Sequence, residues 1–156
     1  MADKVLVVYY SCQGSTRRAA EALKELMGAD LREIVPVKKY NVASAYTLGI
    51  VQCMSKAEPE LAEKIDVSGY DVVYVGTPVW AFTMSPPVRS FLKNSDLKGK
   101  KVIPFCTNRG QQGSSLKDMA ALCEGAEVRE GAELNFVAKL SDEELKAAVK
   151  EKFQLN

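Results

Sequence analysis

Three hydroxyls and a glycine are grouped in Ser11-Cys12-Gln13-Gly14-Ser15-Thr16, directly after the apolar run Val5-Leu6-Val7-Val8-Tyr9 and before a helical pattern. That composition suits a phosphate, because backbone N–H groups and the positive end of a helix can hold one without a side-chain counter-charge. The loop has neither the G-K-[ST] of a Walker A motif nor a G-x-G-x-x-G pattern, and the same hydroxyls would also serve as plain helix caps. A second loop, Gly76-Thr77-Pro78-Val79-Trp80-Ala81-Phe82-Thr83-Met84, puts the single Trp and a Phe just past another apolar run. Large aromatics at a strand mouth suit stacking on a flat ring, although a lone Trp also fits a core. A third loop, Thr107-Asn108-Arg109-Gly110-Gln111-Gln112-Gly113, offers backbone and amide groups for the polar edge of such a ring, or a simple turn into the next helix.

The rest of the composition removes alternatives. With 156 residues the chain has the length of one domain, 1–156, and 47% hydrophobic against 26% charged residues is ordinary for a packed core. The formal net charge is only +1, which gives no electrostatic reason to expect nucleic acid or an anionic membrane as partner. There is no His, so Ser-His-Asp and Cys-His nucleophile schemes fall away. Cys12, Cys53, Cys106 and Cys123 form no C-x-x-C pair and no zinc spacing, and read as reduced thiols of a cytoplasmic protein. The start lacks the apolar stretch of a signal peptide, and no run approaches the ~20 residues of a membrane span.

The elements that must position these loops alternate. Val5–Tyr9, Val72–Val75 and Val102–Cys106 are apolar, β-branched runs of the kind that form strands buried on both faces. Leu31–Val35 is more polar and suits a strand nearer the edge, and Ala132–Val137 a fifth. Helical patterns cover Thr16–Met27, the segment opened by Ser85 with Pro86 and Pro87, Ser114–Leu122, and Ser141–Phe153 with its Ser141/Glu144 capping box. Strands alternating with helices imply a parallel sheet with helices on both faces. Its ligands would bind beyond the carboxyl ends of the strands, where the three loops fall. The connection from Val37 to Ser68, with an apolar stretch at Ala43–Met54, reads as a broken-helix crossover or as a flap over the ligand.

Together the three loops resemble the flavodoxin-like FMN-binding family, over nearly the whole chain. Ser11, Gly14 and Thr16 match the family's Ser/Thr-x-x-Gly-x-Thr phosphate loop, with Cys12, Gln13 and Ser15 between. Thr77, Pro78, Val79 and Trp80 match its Gly-Thr/Ser-Pro-x-Trp segment, followed here by Ala81 and Phe82. Pro-Pro-Val-Arg-Ser-Phe-Leu and Lys-Gly-Lys-Lys-Val-Ile-Pro-Phe are also similar to the family. The resemblance implies an α/β fold, a three-layer α/β/α sandwich on five parallel strands in the order 2-1-3-4-5. It also implies non-covalent FMN, with Ser11–Thr16 on the phosphate, Thr77–Val79 on the ribityl chain and Trp80 on the ring. Thr107, Asn108, Arg109, Gly110 and Gly113 would border the ring. The implied function is electron transfer through the flavin to a partner protein or to a small acceptor such as a quinone, the latter as an NAD(P)H-dependent reductase. No side chain is needed as an acid or base, since the cofactor carries the chemistry.

Three departures argue against a dedicated low-potential carrier. Thr107–Gly113 has no aromatic where many carriers place a Tyr over the outer ring face, which leaves Tyr46, a partner or a substrate to cover it. Ala81 stands where a Gly would let the peptide turn over, and a positive φ costs more at Ala than at Gly. The charge of +1 contrasts with the acidity of electron-carrier flavodoxins. Two other readings compete. Cys12 and Arg18 fit the C-x5-R loop of low-molecular-weight tyrosine phosphatases, with Cys12 as nucleophile, although no Asp-Pro general acid occurs. A non-catalytic flavin-binding or docking module needs no further residue. A receiver domain is excluded, because Ser11-Cys12 and Gly76-Thr77 stand where its acidic residues would be.

Overall fold

The structure, a computed structural model, describes residues 3–155. Strands β1 (Val5–Tyr9), β2 (Asp30–Glu33), β3 (Val72–Trp80) and β5 (Lys101–Asn108) are joined in parallel in the order β2-β1-β3-β5. The far side of β5 pairs first with β6 (Glu127–Val128) and then with β7 (Ala132–Asn135). The expected 2-1-3-4-5 order is therefore present, with the fifth strand delivered in two pieces. The alternation of the strand side chains assigns the layers. Leu6 and Val8 of β1 pack with α4 (Pro86–Asn94) and α5 (Ser115–Ala121), through Val88, Phe91, Leu92 and Met119. Val7 and Tyr9 pack with α1 (Ser15–Met27) and α6 (Asp142–Lys152), through Ala19, Leu23, Leu145 and Val149. A parallel sheet covered on both faces accounts for the near-continuous apolar runs.

The local signals hold with two corrections. At α6 the capping box forms as expected, Glu144 N–H to Ser141 Oγ at 3.1 Å and Ser141 N–H to Glu144 Oε1 at 2.9 Å. At α4, Ser85 is the N-cap residue, but its hydroxyl makes no cap bond. The Ser85 hydroxyl instead meets Thr77 Oγ1 at 3.1 Å, and the Ser85 N–H donates to the same oxygen at 3.0 Å. The second correction concerns the end of β3, which does not stop at Val75. It runs on to Trp80 and turns back through a two-residue loop, Ala81-Phe82, into β4 (Thr83–Met84), pairing Val79 with Met84 and Trp80 with Thr83. Both loop residues have positive φ, 49° and 65°, as a primed hairpin turn requires. No Asn-Gly or Asp-Gly marks this turn in the sequence.

The long connection forms one irregular helix followed by an extended return. It comprises α2 (Val42–Ser44), a π-helical turn over Ala45–Gly49, and α3 (Ile50–Ser55). The return then pairs antiparallel with the chain after β2: Val37 N–H donates to Glu60 O at 2.9 Å and Ala62 N–H to Val35 O at 2.7 Å.

Candidate functional site

The loop after β1, the end of β3 with its hairpin turn, and the end of β5 with the loop that follows converge at the carboxyl edge of the sheet and border a cavity of ≈ 650 Å³. This lies in the range of small-molecule and cofactor sites, about 300–1,000 Å³. Ser11, Cys12, Gln13, Ser15 and Thr16 line one end. Pro78, Val79, Trp80, Ala81 and Phe82 form a wall, and Thr107, Asn108 and Arg109 another. Of the residues the sequence singled out, Gly14, Thr77, Gly110 and Gly113 are outside the lining. Gly14 and Gly113 shape the backbone. Gly14 holds φ 100° as the residue before α1, and a side chain on Gly113 would collide with the Phe82 carbonyl. Gly110, at φ 114°, lies under the Phe136 ring. Thr77 is fully buried and its hydroxyl is engaged with Ser85, so it braces the wall from behind.

The first loop opens a helix without closing it. Ser11 Oγ accepts the Gly14 N–H at 3.0 Å inside the loop, and no side chain caps the start of α1. The hydroxyls are thus not helix caps, and the first-turn N–H groups have no intrahelical acceptors. Thr16 Oγ1 and Thr107 Oγ1 lie 2.7 Å apart in a buried contact that ties the first loop to the third. Neither arginine of the first turn reaches into the loop. Arg17 pairs with Glu33 at 2.6 Å and donates to the Tyr9 hydroxyl. Arg18 donates to the carbonyls of Val137 at 2.7 Å and Leu140 at 2.9 Å. With its guanidinium there, Arg18 is not a partner for a phosphate held over Cys12, and the C-x5-R geometry is not formed. The other thiols are protected: burial pushes Cys53 and Cys123 up to about 11 and Cys106 up to about 12.

Trp80 is both packed and part of the cavity. Its indole meets Tyr40 edge-on at 5.1 Å between centroids and Tyr10 at 5.7 Å, and Gly49 of the π-helical turn lies against its ring. The indole is thus half-buried among aromatic neighbours and still contributes to the cavity wall.

Gln111 of the third loop joins the lining, and four further residues are ones that sequence reasoning missed. Phe136, Val137, Ala138 and Lys139 come from the turn after β7, whose approach depends on the Arg18 contacts and on Phe136 N–H to Asn108 O at 2.8 Å. No local signal announced this. Ala45, Tyr46 and Ile50 come from the irregular helix, so the long connection forms part of the cavity lining. Among the described residues, no group of three metal-ligating side chains is assembled, and no helix is long and apolar enough to cross a membrane.

The flavodoxin family model matches residues 4–152. The chain belongs to the flavodoxin family. Among solved structures, this flavodoxin-family chain is 30% identical to a protein assigned as a flavoprotein from Bacteroides uniformis, with TM-score 0.83 over 96% of this chain and 99% of the other. A protein likewise assigned from Bacteroides eggerthii is 29% identical, with TM-score 0.82 over 97% and 99%. A flavoprotein from Lactobacillus acidophilus, solved in complex with FMN, is 25% identical, with TM-score 0.71 over 85% and 93%. No curated protein matches the chain.

Proposed function

We propose that this protein binds FMN non-covalently in the cavity and passes electrons through it. The observation that carries the reading is the uncapped start of α1 beside Ser11–Thr16, in a family whose relative from Lactobacillus acidophilus holds FMN. A terminal phosphate dianion fits the free N–H groups, the Ser11 and Ser15 hydroxyls and the positive helix end, without a cation. Pro78 and Val79 take the ribityl chain, with Thr77 behind them, and Trp80 takes one face of the ring. Asn108, Arg109 and the Gly110–Gly113 backbone lie at the ring's polar edge. When bound, FMN supplies reversible two-electron chemistry; the chain's own residues bind and orient it and shield it from water.

In this reading the acceptor is a small flat molecule such as a quinone, for which the exposed rings of Tyr46, Phe82 and Phe136 at the cavity offer stacking surfaces. NAD(P)H is the donor in this reading. The four cysteines are free thiols, in keeping with a reducing, cytoplasmic setting. The visible spectrum of the purified protein tests the cofactor. NAD(P)H oxidation with and without a quinone then separates a reductase from a carrier, which no nicotinamide would reduce rapidly.

A further inference from the structure

The three aromatic side chains exposed on the described surface all line one cavity. They are Tyr46 at 62%, Phe82 at 63% and Phe136 at 42% exposure. Each stands on irregular backbone: Tyr46 in the π-helical turn, Phe82 at φ 65° and Phe136 at φ 52°. Positive φ is unfavourable for residues with side chains, π-helical turns are rare, and both gather at functional sites in folded proteins. Three separate segments thus hold aromatic rings in water at one mouth.

A flat cofactor ring has two faces. Trp80 takes one, and a single further aromatic would complete the sandwich, so three more exceed what one ring needs. The charges show a similar excess. Among the described residues the lining carries two cations, Arg109 and Lys139, and no carboxylate, while the phosphate end is already served by backbone and hydroxyls. Lys139 Nζ lies 5.2 Å from the centroid of Phe136, so cation and ring are presented by one short turn, which Arg18 fixes through the Val137 and Leu140 carbonyls.

We infer that the cavity mouth is a second binding site, for a flat conjugated anion that stacks on Phe136 and Phe82 and sets its negative group against Lys139. The inference rests on the FMN reading, since this ligand is bound together with the cofactor. Stacking supplies affinity for any flat ring, and the cation, unopposed by a carboxylate, selects the charged one.

The test uses FMN-loaded protein without reductant, after FMN uptake has been measured on its own. Anthraquinone-2-sulfonate and the neutral 2-(hydroxymethyl)anthraquinone are titrated calorimetrically, and released FMN is read in the filtrate. The sulfonate is expected to bind one to one, about tenfold tighter than the neutral ring, with FMN retained. Lys139→Gln should bring the two probes within about threefold, and Phe136→Ala should weaken both alike, by roughly fivefold. On the wild type, which needs no variant to fold, rising salt should erode the preference for the sulfonate. Retained FMN with no sulfonate binding, equal binding of both probes, or binding that expels FMN would each overturn the second site. A protein that takes up no FMN would instead overturn the cofactor reading, and this inference with it.

Discussion

The Ser114 backbone N–H donates to the Phe82 carbonyl at 2.7 Å, tying the start of α5 to a turn in which Ala81 and Phe82 both have positive φ. The tie is reinforced at Asp118. Its Oδ2 accepts the Thr83 hydroxyl at 2.5 Å and the Ser114 hydroxyl at 2.6 Å. The backbone strain in this wall of the cavity is thus held in place by a helix on the next strand's loop.

Ala81→Gly should stabilise the protein. Relief of the left-handed conformation is worth about 1–2 kcal/mol at an L-residue. The added freedom of the unfolded chain takes back about 0.4–1 kcal/mol. The net gain is about 0.5 kcal/mol, or a rise of ~1–2 °C in Tm for a chain of this size. Ala81→Val should go the other way, since a β-branched residue tolerates positive φ poorly. Thermal melts of the two variants check the pair; a lower Tm for the Gly variant would mean that the turn is not strained.

Asp118 gives the clamp a pH dependence. Burial alone would raise its pKa, but the hydrogen bonds from Ser114 and Thr83 outweigh it and hold the carboxyl below its ordinary 3.8. A carboxyl depressed by folding contributes stability that is fully present above its unfolded pKa and is lost as pH falls through the folded value. The clamp should therefore be intact at neutral pH and weaken below about pH 4. Asp118→Asn should lower Tm at pH 7 and narrow its distance from wild type as the pH drops to about 3. A constant difference across that range would show that the charge plays no part.

The strands were legible because buried parallel strands need uninterrupted apolar runs, and Val5–Tyr9 and Val72–Val75 supply them, whereas their order came only with the family resemblance. The first loop stood out because three hydroxyls and a Gly sit between an apolar strand and a helical pattern, although those hydroxyls do not cap the helix. What was missed has a common cause: it depends on contacts far apart in sequence. The hairpin at Ala81-Phe82 carries no turn residue and is set by Ser114 and Asp118, more than thirty residues on. Phe136 and Lys139 enter the cavity because Arg18, more than a hundred residues earlier, holds their turn by its carbonyls. Ser85 looks like a capping serine, and only the approach of Thr77 shows where its hydroxyl goes.

Trp80→Ala should affect both the apoprotein and the cofactor. The indole loses its edge contacts with Tyr10 and Tyr40, and because it is only partly buried the cost should be about 2 kcal/mol, below the ~3–5 kcal/mol of a fully buried Trp. FMN affinity should fall about tenfold through lost stacking and contact area. Gly49→Ala offers a milder probe, because its Cβ would stand 2.9 Å from the ring and push the indole. Apoprotein melting and FMN titration on the same variants check both effects. Unchanged FMN affinity in Trp80→Ala would remove the indole from the ring's face.

The phosphate end makes the sharpest demand on the cofactor reading. Gly14 sits at φ 100° with open space where a Cβ would be, so Gly14→Ala meets no steric obstacle from its neighbours and suffers only the backbone penalty. Relaxing that conformation would rotate the N–H groups around Ser15 away from the loop opening, and the Gly14 N–H away from Ser11 Oγ. Wild type should bind FMN at least about a hundredfold more tightly than riboflavin, since two decades correspond to ~2.8 kcal/mol, about the worth of one or two charge-assisted hydrogen bonds. In Gly14→Ala that preference should shrink about tenfold, with riboflavin affinity nearly unchanged, if the ring sits against Trp80 on the other wall as proposed. Cys12→Ser should alter neither affinity by more than about twofold, as the thiol is directed to the Tyr40 carbonyl at 3.9 Å and a hydroxyl can take its place there. Flavin fluorescence titrations with both ligands on all three proteins check this. Equal affinity of the wild type for FMN and riboflavin would mean that Ser11–Thr16 does not hold the phosphate.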